Sequence, residues 1–480
     1  MSQPAPAAGK PSPTGLNRIP RPATRRGTEL FMLICSALIV TVAIMLVQIG
    51  REHTLSMELV YYGLAFLALY GSAHLAVRKW APYADPLILP LVSLINGLGL
   101  VMLHRLDFDE VAGSPFTGKQ ILYATVGVIL FILVLAFIKD HRTLARYSFT
   151  CGFVGLALLA LPGLLPSSIS EVNGAKLWIS IGGQSIQPGE FAKLLLLVFF
   201  ASFLVSKREL FTTAGKRFLG VDWPRPRDLM PVIVAWLLSI GIVVLEKDLG
   251  TSLLFFGIVL VMLYIATERA VWVGLGLSLF AMGCVIAFNI PGFSHVQSRV
   301  DSWLDPMATA GQDVDPGFQL RGGLYGMASG GIFGSGLGSG RPDLTIWSAS
   351  DFIIAAIGEE LGLVGLMALM MIYLMLMMRG LRTALAVRDS FGKLFGGGLA
   401  FTICLQLFVV AGGVTGLIPM TGLTAPFLAY GGSSLLANYI LIALLLRISD
   451  AARRPQAPSS PKPKQAPIAE AHTELVERPR

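Results

Sequence analysis

Charge is what this sequence has least of. Only 14% of its 480 residues are Asp, Glu, Lys or Arg, against about 25% in a soluble domain of average composition. That shortage excludes an ordinary water-soluble enzyme and a charge-rich disordered chain. Cysteine is scarce as well. Cys35, Cys151, Cys284 and Cys404 are isolated within apolar runs, too few and too scattered for a disulfide framework or a zinc site. Period-two alternation is missing, which excludes a porin-like barrel. Residues 1–28 are long, basic and Pro-rich, and lack the pattern of a cleavable signal peptide.

What the chain has instead is apolar length. Hydrophobic residues make up 54% of it and the mean hydropathy is +0.69. Runs of about 18 or more apolar residues recur, each long enough to cross a bilayer core as a helix. The pattern predicts an all-α polytopic membrane protein with twelve spans, near 30–49, 57–77, 84–104, 119–138, 144–165, 188–206, 228–246, 249–266, 270–289, 351–378, 395–414 and 425–447. Lys and Arg set the orientation, because cytoplasmic loops collect them. With residue 1 inside, most of the 37 basic residues fall in cytoplasmic segments, including Arg25, Arg26, Arg78, Lys79, Lys207 and Arg453. The outer loops and span edges keep eight: Arg51, Arg105, Lys119, Lys176, Lys247, Arg299, Arg321 and Arg341. Both termini are therefore expected in the cytoplasm.

The chain divides into a basic tail over 1–28, two helices over 29–83, a membrane core over 84–450 and a tail over 451–480. The last tail, with AARRPQAPSSPKPKQAP, is expected to be disordered. An outer loop near 166–187 is long, and another near 290–350 is longer and rich in glycine. Loops of that length are commonly functional or disordered.

Ionisable groups at membrane depth are costly unless paired or wet, so they are candidates for function. Glu190 and Lys193 follow Pro188 and lie three apart on one helical face. Lys193 suits a phosphate, with Glu190 holding it in place. The alternative is a structural ion pair. Asp248, in Glu246-Lys247-Asp248-Leu249-Gly250-Thr251, is placed either to cap the next helix or to act in chemistry. Asp351, after Ser348-Ala349-Ser350, stands at the outer start of span ten, where it is a cap, a proton acceptor or a cation ligand. The run from Gly330 to Gly340 is not a phosphate loop, since no Gly-Lys-Ser/Thr follows it, and reads as a flexible or tightly turned segment. Tyr430 to Ser434, including Ser433, allows close helix packing or lines a polar cavity. Trp178 is an interfacial anchor or a sugar platform.

Taken in order, AKLWISIGGQSIQPGEFAKL, EKDLGTS, QSRVDSWLDP, GFQL, ASGGIFGSGLGSG, SDFIIAAIGEELGLVG and GLTAPFLAYGGSS resemble the SEDS family (shape, elongation, division and sporulation proteins), its RodA branch more than its FtsW branch. The resemblance runs from about Ala84 to Asp450. It implies a core of ten membrane helices, so the first two are an N-terminal addition. It implies a peptidoglycan glycosyltransferase that polymerises lipid II at the outer face of the bacterial cytoplasmic membrane, for cell elongation, shape or division. The implied partner is a class B penicillin-binding protein, which cross-links the strands. No cofactor is required, although a divalent cation suits the carboxylates. Nucleic acid is not an expected partner.

The resemblance also implies roles, position by position. The family's essential acid falls on Asp351, with Ala349 where the family has His. The family's Pro-Ser-Glu and downstream Lys fall on Pro188, Gly189, Glu190 and Lys193, glycine replacing the serine. Asp248 matches the Asp-Leu-Gly-Thr motif, Arg299 and Gln319 match loop positions, and Trp178 matches a groove position. Asp313 and Asp315 lie where the spacing departs from the family's. The reaction implied is transfer of a glycan from its pyrophosphate carrier to a sugar hydroxyl. It needs positioning and one deprotonation, with Asp351 as base, Lys193 and Arg299 facing the pyrophosphate, Glu190 and Asp248 orienting them, and Trp178, Gln319 and Ser433 as further substrate contacts. Two other readings are a lipid II flippase, which broken helices would suit, and a non-catalytic membrane scaffold for a transpeptidase.

Overall fold

The computed structural model describes residues 24–52, 57–109, 116–172, 175–182, 184–207, 217–218, 221–222, 226–246, 248–289, 294–308 and 317–455. Lys247, Asp313, Asp315 and most of both tails lie outside them. The helices in order are α1 (Arg26–Glu52), α2 (Glu58–Trp80), α3 (Ile88–Asp107), α4 (Phe116–Phe137), α5 (Arg142–Arg146), α6 (Ser148–Leu164), α7 (Ser167–Ser170) and α8 (Pro188–Ser206). They continue with α9 (Pro226–Leu245), α10 (Leu249–Thr267), α11 (Ala270–Asn289), α12 (Ser294–Leu304), α13 (Phe318–Gly330), α14 (Ile353–Ala386), α15 (Ser390–Val414) and α16 (Gly432–Arg453). The strands are three short antiparallel hairpins: Glu171–Val172 with Ala175–Lys176, Ile179–Ile181 with Gln184–Ile186, and Arg217–Phe218 with Val221–Asp222.

Ten of these helices are long and apolar enough to cross a membrane, and α6 and α9 carry shorter apolar stretches in the positions of two more. The twelve expected spans are thus all helical among the described residues. Local signals explain where they begin. Pro188 opens α8 at its first turn, where its missing N–H costs nothing. Asp248 caps α10 by accepting the Thr251 N–H at 2.9 Å, and Asp389 caps α15 by accepting from Gly392 at 2.7 Å. Because successive spans alternate in direction, the described residues of the connections after α6, α9, α11 and α15 belong to one end of the bundle. We call this the loop end.

Two boundaries differ from expectation. The last span begins at Gly432 rather than near 425, because residues 415–431 run as non-helical chain. Span ten begins at Ile353 and continues to Ala386, broken at Gly362, whose φ of 65° only glycine adopts without strain. The glycine-rich run repairs that break. Leu363 and Val364 donate their N–H groups to the carbonyls of Gly331 and Ile332 at 3.0 and 3.1 Å, while Ser335 and Gly336 donate to those of Glu359 and Glu360 at 3.0 and 2.9 Å. The run is a tightly turned sleeve around a broken helix.

The N-terminal helices are built into the core. α1 packs along α3 and α2, and α2 also meets α4. Tyr70 of α2 donates to Asn96 of α3 at 3.1 Å, with its hydroxyl 2.7 Å from that of Tyr439 on α16. At the loop end Arg51 pairs with Asp109, which also pairs with the buried Arg105. Arg105 in turn meets Glu360 of α14 at 2.7 Å and donates to the Gly340 carbonyl at 2.6 Å. At the other end, Asp85 is held by Arg453 at 2.5 Å, and Tyr83 N–H donates to Asp450 at 2.8 Å.

Candidate functional site

The site is organised by segment 415–431. An exposed carbonyl is costly at membrane depth unless something donates to it. Here six carbonyls along one stretch are satisfied by side chains from five helices. Trp303 and Arg299 of α12 donate to Gly416 and Met420 at 2.7 and 3.0 Å. Gln406 of α15 donates to Thr424 at 2.9 Å, and Tyr373 of α14 to Pro426 at 2.5 Å. Asn96 of α3 and Gln120 of α4 donate to Phe427 and Ala429, both at 3.1 Å. The segment is thereby fixed without any secondary structure of its own.

Around it stand the candidate residues. Gly250 backs so closely onto Thr421 and Leu423 that a Cβ there would lie 2.7 Å from the Thr421 carbonyl oxygen. That contact places Asp248, two residues earlier, beside the segment. Gly422 faces Asp351 Oδ2, and Tyr430 N–H donates to the Ala349 carbonyl at 2.8 Å, tying the Asp351 turn to the same stretch. Asp351 precedes its helix rather than capping it, since the cap position is Phe352. Burial pushes the Asp351 carboxyl up to about 6, against the pull of the nearby Arg299 cation. Burial raises Asp248 too, opposed by its Thr251 hydrogen bonds and by Arg299. Arg299 is lowered by burial and drawn back by Asp248 and Asp351. One guanidinium thus acts electrostatically on two carboxylates from separate parts of the chain.

Lys193 and Glu190 form the expected pair at 2.5 Å, almost wholly buried at 2% and 7% side-chain exposure. Lys193 also donates to Gln406 Oε1 at 3.1 Å. Glu190 lies close enough to raise the proton affinity of Asp248, which joins this pair to the first group. Ser433 accepts the Gln187 N–H at 2.8 Å and so anchors the start of α8. A small cleft opens beside these groups, lined by Gln187, Gly189, Glu246, Asp248, Thr251 and Leu177 among others. Glu246 accepts the Gly163 N–H at 3.2 Å, and burial pushes it up to about 7.

Trp178 lies half-buried between two hairpins, and Gln319 half-buried in the first turn of α13. Among the described residues no hydrogen bond joins either of them to the carboxylate cluster. Nor do three or more His, Cys, Asp or Glu side chains among those residues come together as a metal site. Sequence reasoning missed Gln406, Asn96, Gln120 and Tyr373. Their only trace is a neutral polar group within an apolar run.

A family model described as cell cycle protein, FtsW/RodA/SpoVE, matches residues 85–454. The chain belongs to this family. Within it the resemblance is to the RodA branch. The chain is 55% identical to the peptidoglycan glycosyltransferase RodA of Mycobacterium tuberculosis over 460 residues, which are 95% of this chain and 96% of that one. The family fold is also seen in the rod shape determining protein RodA of Thermus thermophilus, 26% identical with a TM-score of 0.55, over 78% of this chain and 98% of that one. A peptidoglycan synthase complex that coordinates polymerization and crosslinking contains a similar chain, 25% identical with a TM-score of 0.60, over 78% of this chain and 99% of that one. Family membership makes the chain a multi-pass membrane protein. The family match begins at residue 85, so α1 and α2 precede it.

Proposed function

We propose that this chain is a peptidoglycan glycosyltransferase that polymerises lipid II, with its loop end facing the cell exterior and both termini inside. The observation that carries the reading is the meeting of Asp351, Arg299, Asp248 and the Glu190–Lys193 pair on segment 415–431. Carboxylates and cations from four parts of the chain suit one charged, carrier-bound saccharide. The orientation rests on the distribution of Lys and Arg.

In this reading the leaving group is a pyrophosphate, already a good one, so the protein has to align the two sugars and remove one proton. Asp351 is the base. Its elevated proton affinity, near 6, makes it a better acceptor than an ordinary surface carboxylate while leaving it ionised at neutral pH. Arg299 balances pyrophosphate charge. Lys193 already spends two of its three N–H groups on Glu190 and Gln406, so it offers the substrate one donor and its charge. Asp248 and Glu190 orient the cations, Trp178 and Gln319 border the saccharide path, and Ser433 fixes the entry to α8. The partner is a class B penicillin-binding protein that cross-links the product.

The test is polymerisation of purified lipid II by the purified chain, alone and with its partner. Long glycan strands from the wild type and none from Asp351→Asn are expected. Full activity of that variant removes Asp351 as the base. Transfer of labelled lipid II across vesicles without chain growth replaces the reading with a flippase.

A further inference from the structure

Gln406 sits in the middle of α15 with no solvent exposure. Its amide is used at both ends. The oxygen accepts from Lys193 Nζ at 3.1 Å, and the nitrogen donates to the Thr424 carbonyl at 2.9 Å. This fixes which way round the amide lies, because the ammonium can only donate and the carbonyl can only accept. Gln406 joins a charged candidate residue, Lys193, to a carbonyl of segment 415–431.

We propose that Gln406 is a positioning residue for glycan transfer: it gives the Lys193 ammonium, already paired with Glu190, a second acceptor and ties it to the segment on which Asp351 and Arg299 are set. The inference rests on the polymerase reading and deepens it. The physical argument is about where a buried cation settles. Lys193 stays on the Glu190 carboxylate at 2.5 Å, but with Glu190 as its sole partner, on the same helix, nothing would tie the pair to segment 415–431. The Gln406 oxygen is a second, neutral acceptor that directs the ammonium toward the segment without adding charge. The amide nitrogen makes the arrangement depend on Thr424, three residues from the Thr421 carbonyl that abuts Gly250 and two from the Gly422 that faces Asp351. The cation of α8 and the acid ahead of α14 therefore share one rigid spacer.

The decisive experiment is a double-mutant cycle read by lipid II polymerisation. Gln406→Leu, which keeps size and loses both hydrogen bonds, is expected to lower the rate by about tenfold or more. In a Lys193→Met background the same change is expected to matter by less than about twofold, since the group it positions is gone. Equal losses in both backgrounds, or no loss in either, overturn the proposal. Gln406→Glu guards against a folding defect. It keeps an acceptor for Lys193 but sets an anionic oxygen against the Thr424 carbonyl, unless protonated. Its activity relative to wild type is expected to rise as pH falls, and a flat ratio counts against the proposal. If the wild type makes no glycan, the polymerase reading fails on its own. The cycle is then read as thermal midpoints in detergent, where additive shifts overturn the Lys193–Gln406 coupling.

Discussion

Arg105 Nε lies 2.7 Å from Glu360 Oε1, with both side chains shut off from solvent. The same carboxylate accepts the Gly338 N–H through its other oxygen at 3.1 Å. The pair joins α3 to the sleeve that repairs the break in α14. Removing one partner of a buried pair leaves the other charge uncompensated, at about 3–5 kcal/mol. Arg105→Met and Glu360→Gln should each lower the thermal midpoint in detergent sharply, and the double variant should recover part of the loss. Additive losses would mean that the two groups act independently.

Asp351 carries its own cost. Burial holds its carboxyl near 6 in the folded chain against 3.8 ordinarily. A group whose proton affinity is raised by folding binds more protons folded than unfolded, so stability falls as pH rises from about 4 through 6. The cost at neutral pH is on the order of 3 kcal/mol. Asp351→Asn should therefore raise the thermal midpoint at pH 7.5 and change it little at pH 4, while abolishing polymerisation. In the wild type, polymerisation should climb with pH through about 6. A variant that is destabilised at neutral pH would show that Arg299 needs the carboxylate more than burial penalises it.

Glu246 titrates higher, at about 7, through burial chiefly, with Asp248 adding to it and the Gly163 N–H opposing. Its stability penalty grows as pH rises from about 4.5 through 7. Glu246→Gln keeps an acceptor for Gly163 and removes the charge. It should flatten the pH dependence of the thermal midpoint between 5 and 8, with the largest gain at the alkaline end. An unchanged profile would place Glu246 in water rather than in the cleft.

The sequence made the spans legible because twenty apolar residues leave little choice of structure in a bilayer. It also made legible the residues that break that rule: Asp351, Asp248, Glu190 and Lys193 are charges at span edges, and each lies at the loop end. Segment 415–431 is only partly legible: residues 415–424 fall between expected spans, whereas 425–431 are expected to be helical and run as non-helical chain. That its carbonyls would be met by Gln406, Tyr373, Asn96 and Gln120 depends on helix pairing across long stretches of chain, which no local pattern encodes. The glycine-rich run was read as flexible or tightly turned. The deciding contacts, from Glu359 and Glu360, come from the helix it wraps. Trp178 stands out in the sequence as an aromatic beside a span and Gln319 by family resemblance, and no hydrogen bond draws them to the cluster among the described residues.

Helix α1 meets the sleeve at two glycines, and this contact can be tested against an internal control. A Cβ on Gly50 of α1 would lie 2.9 Å from the Leu337 carbonyl oxygen, and one on Gly338 would lie 2.9 Å from that of Val47. Gly71 of α2 has open space around its Cβ position. Alanine is favoured over glycine within a helix by roughly 0.5–1 kcal/mol, so Gly71→Ala should be neutral or stabilising. Gly50→Ala gains the same preference but must push two backbones apart, and overpacking costs about 1–3 kcal/mol. Gly338→Ala adds backbone strain, since its φ is 86°. The expected order of thermal midpoints is Gly71→Ala highest, then Gly50→Ala, then Gly338→Ala. Hydrogen exchange should quicken across 331–341 in the last two. If Gly50→Ala leaves those amides as protected as in the wild type, α1 does not brace the sleeve.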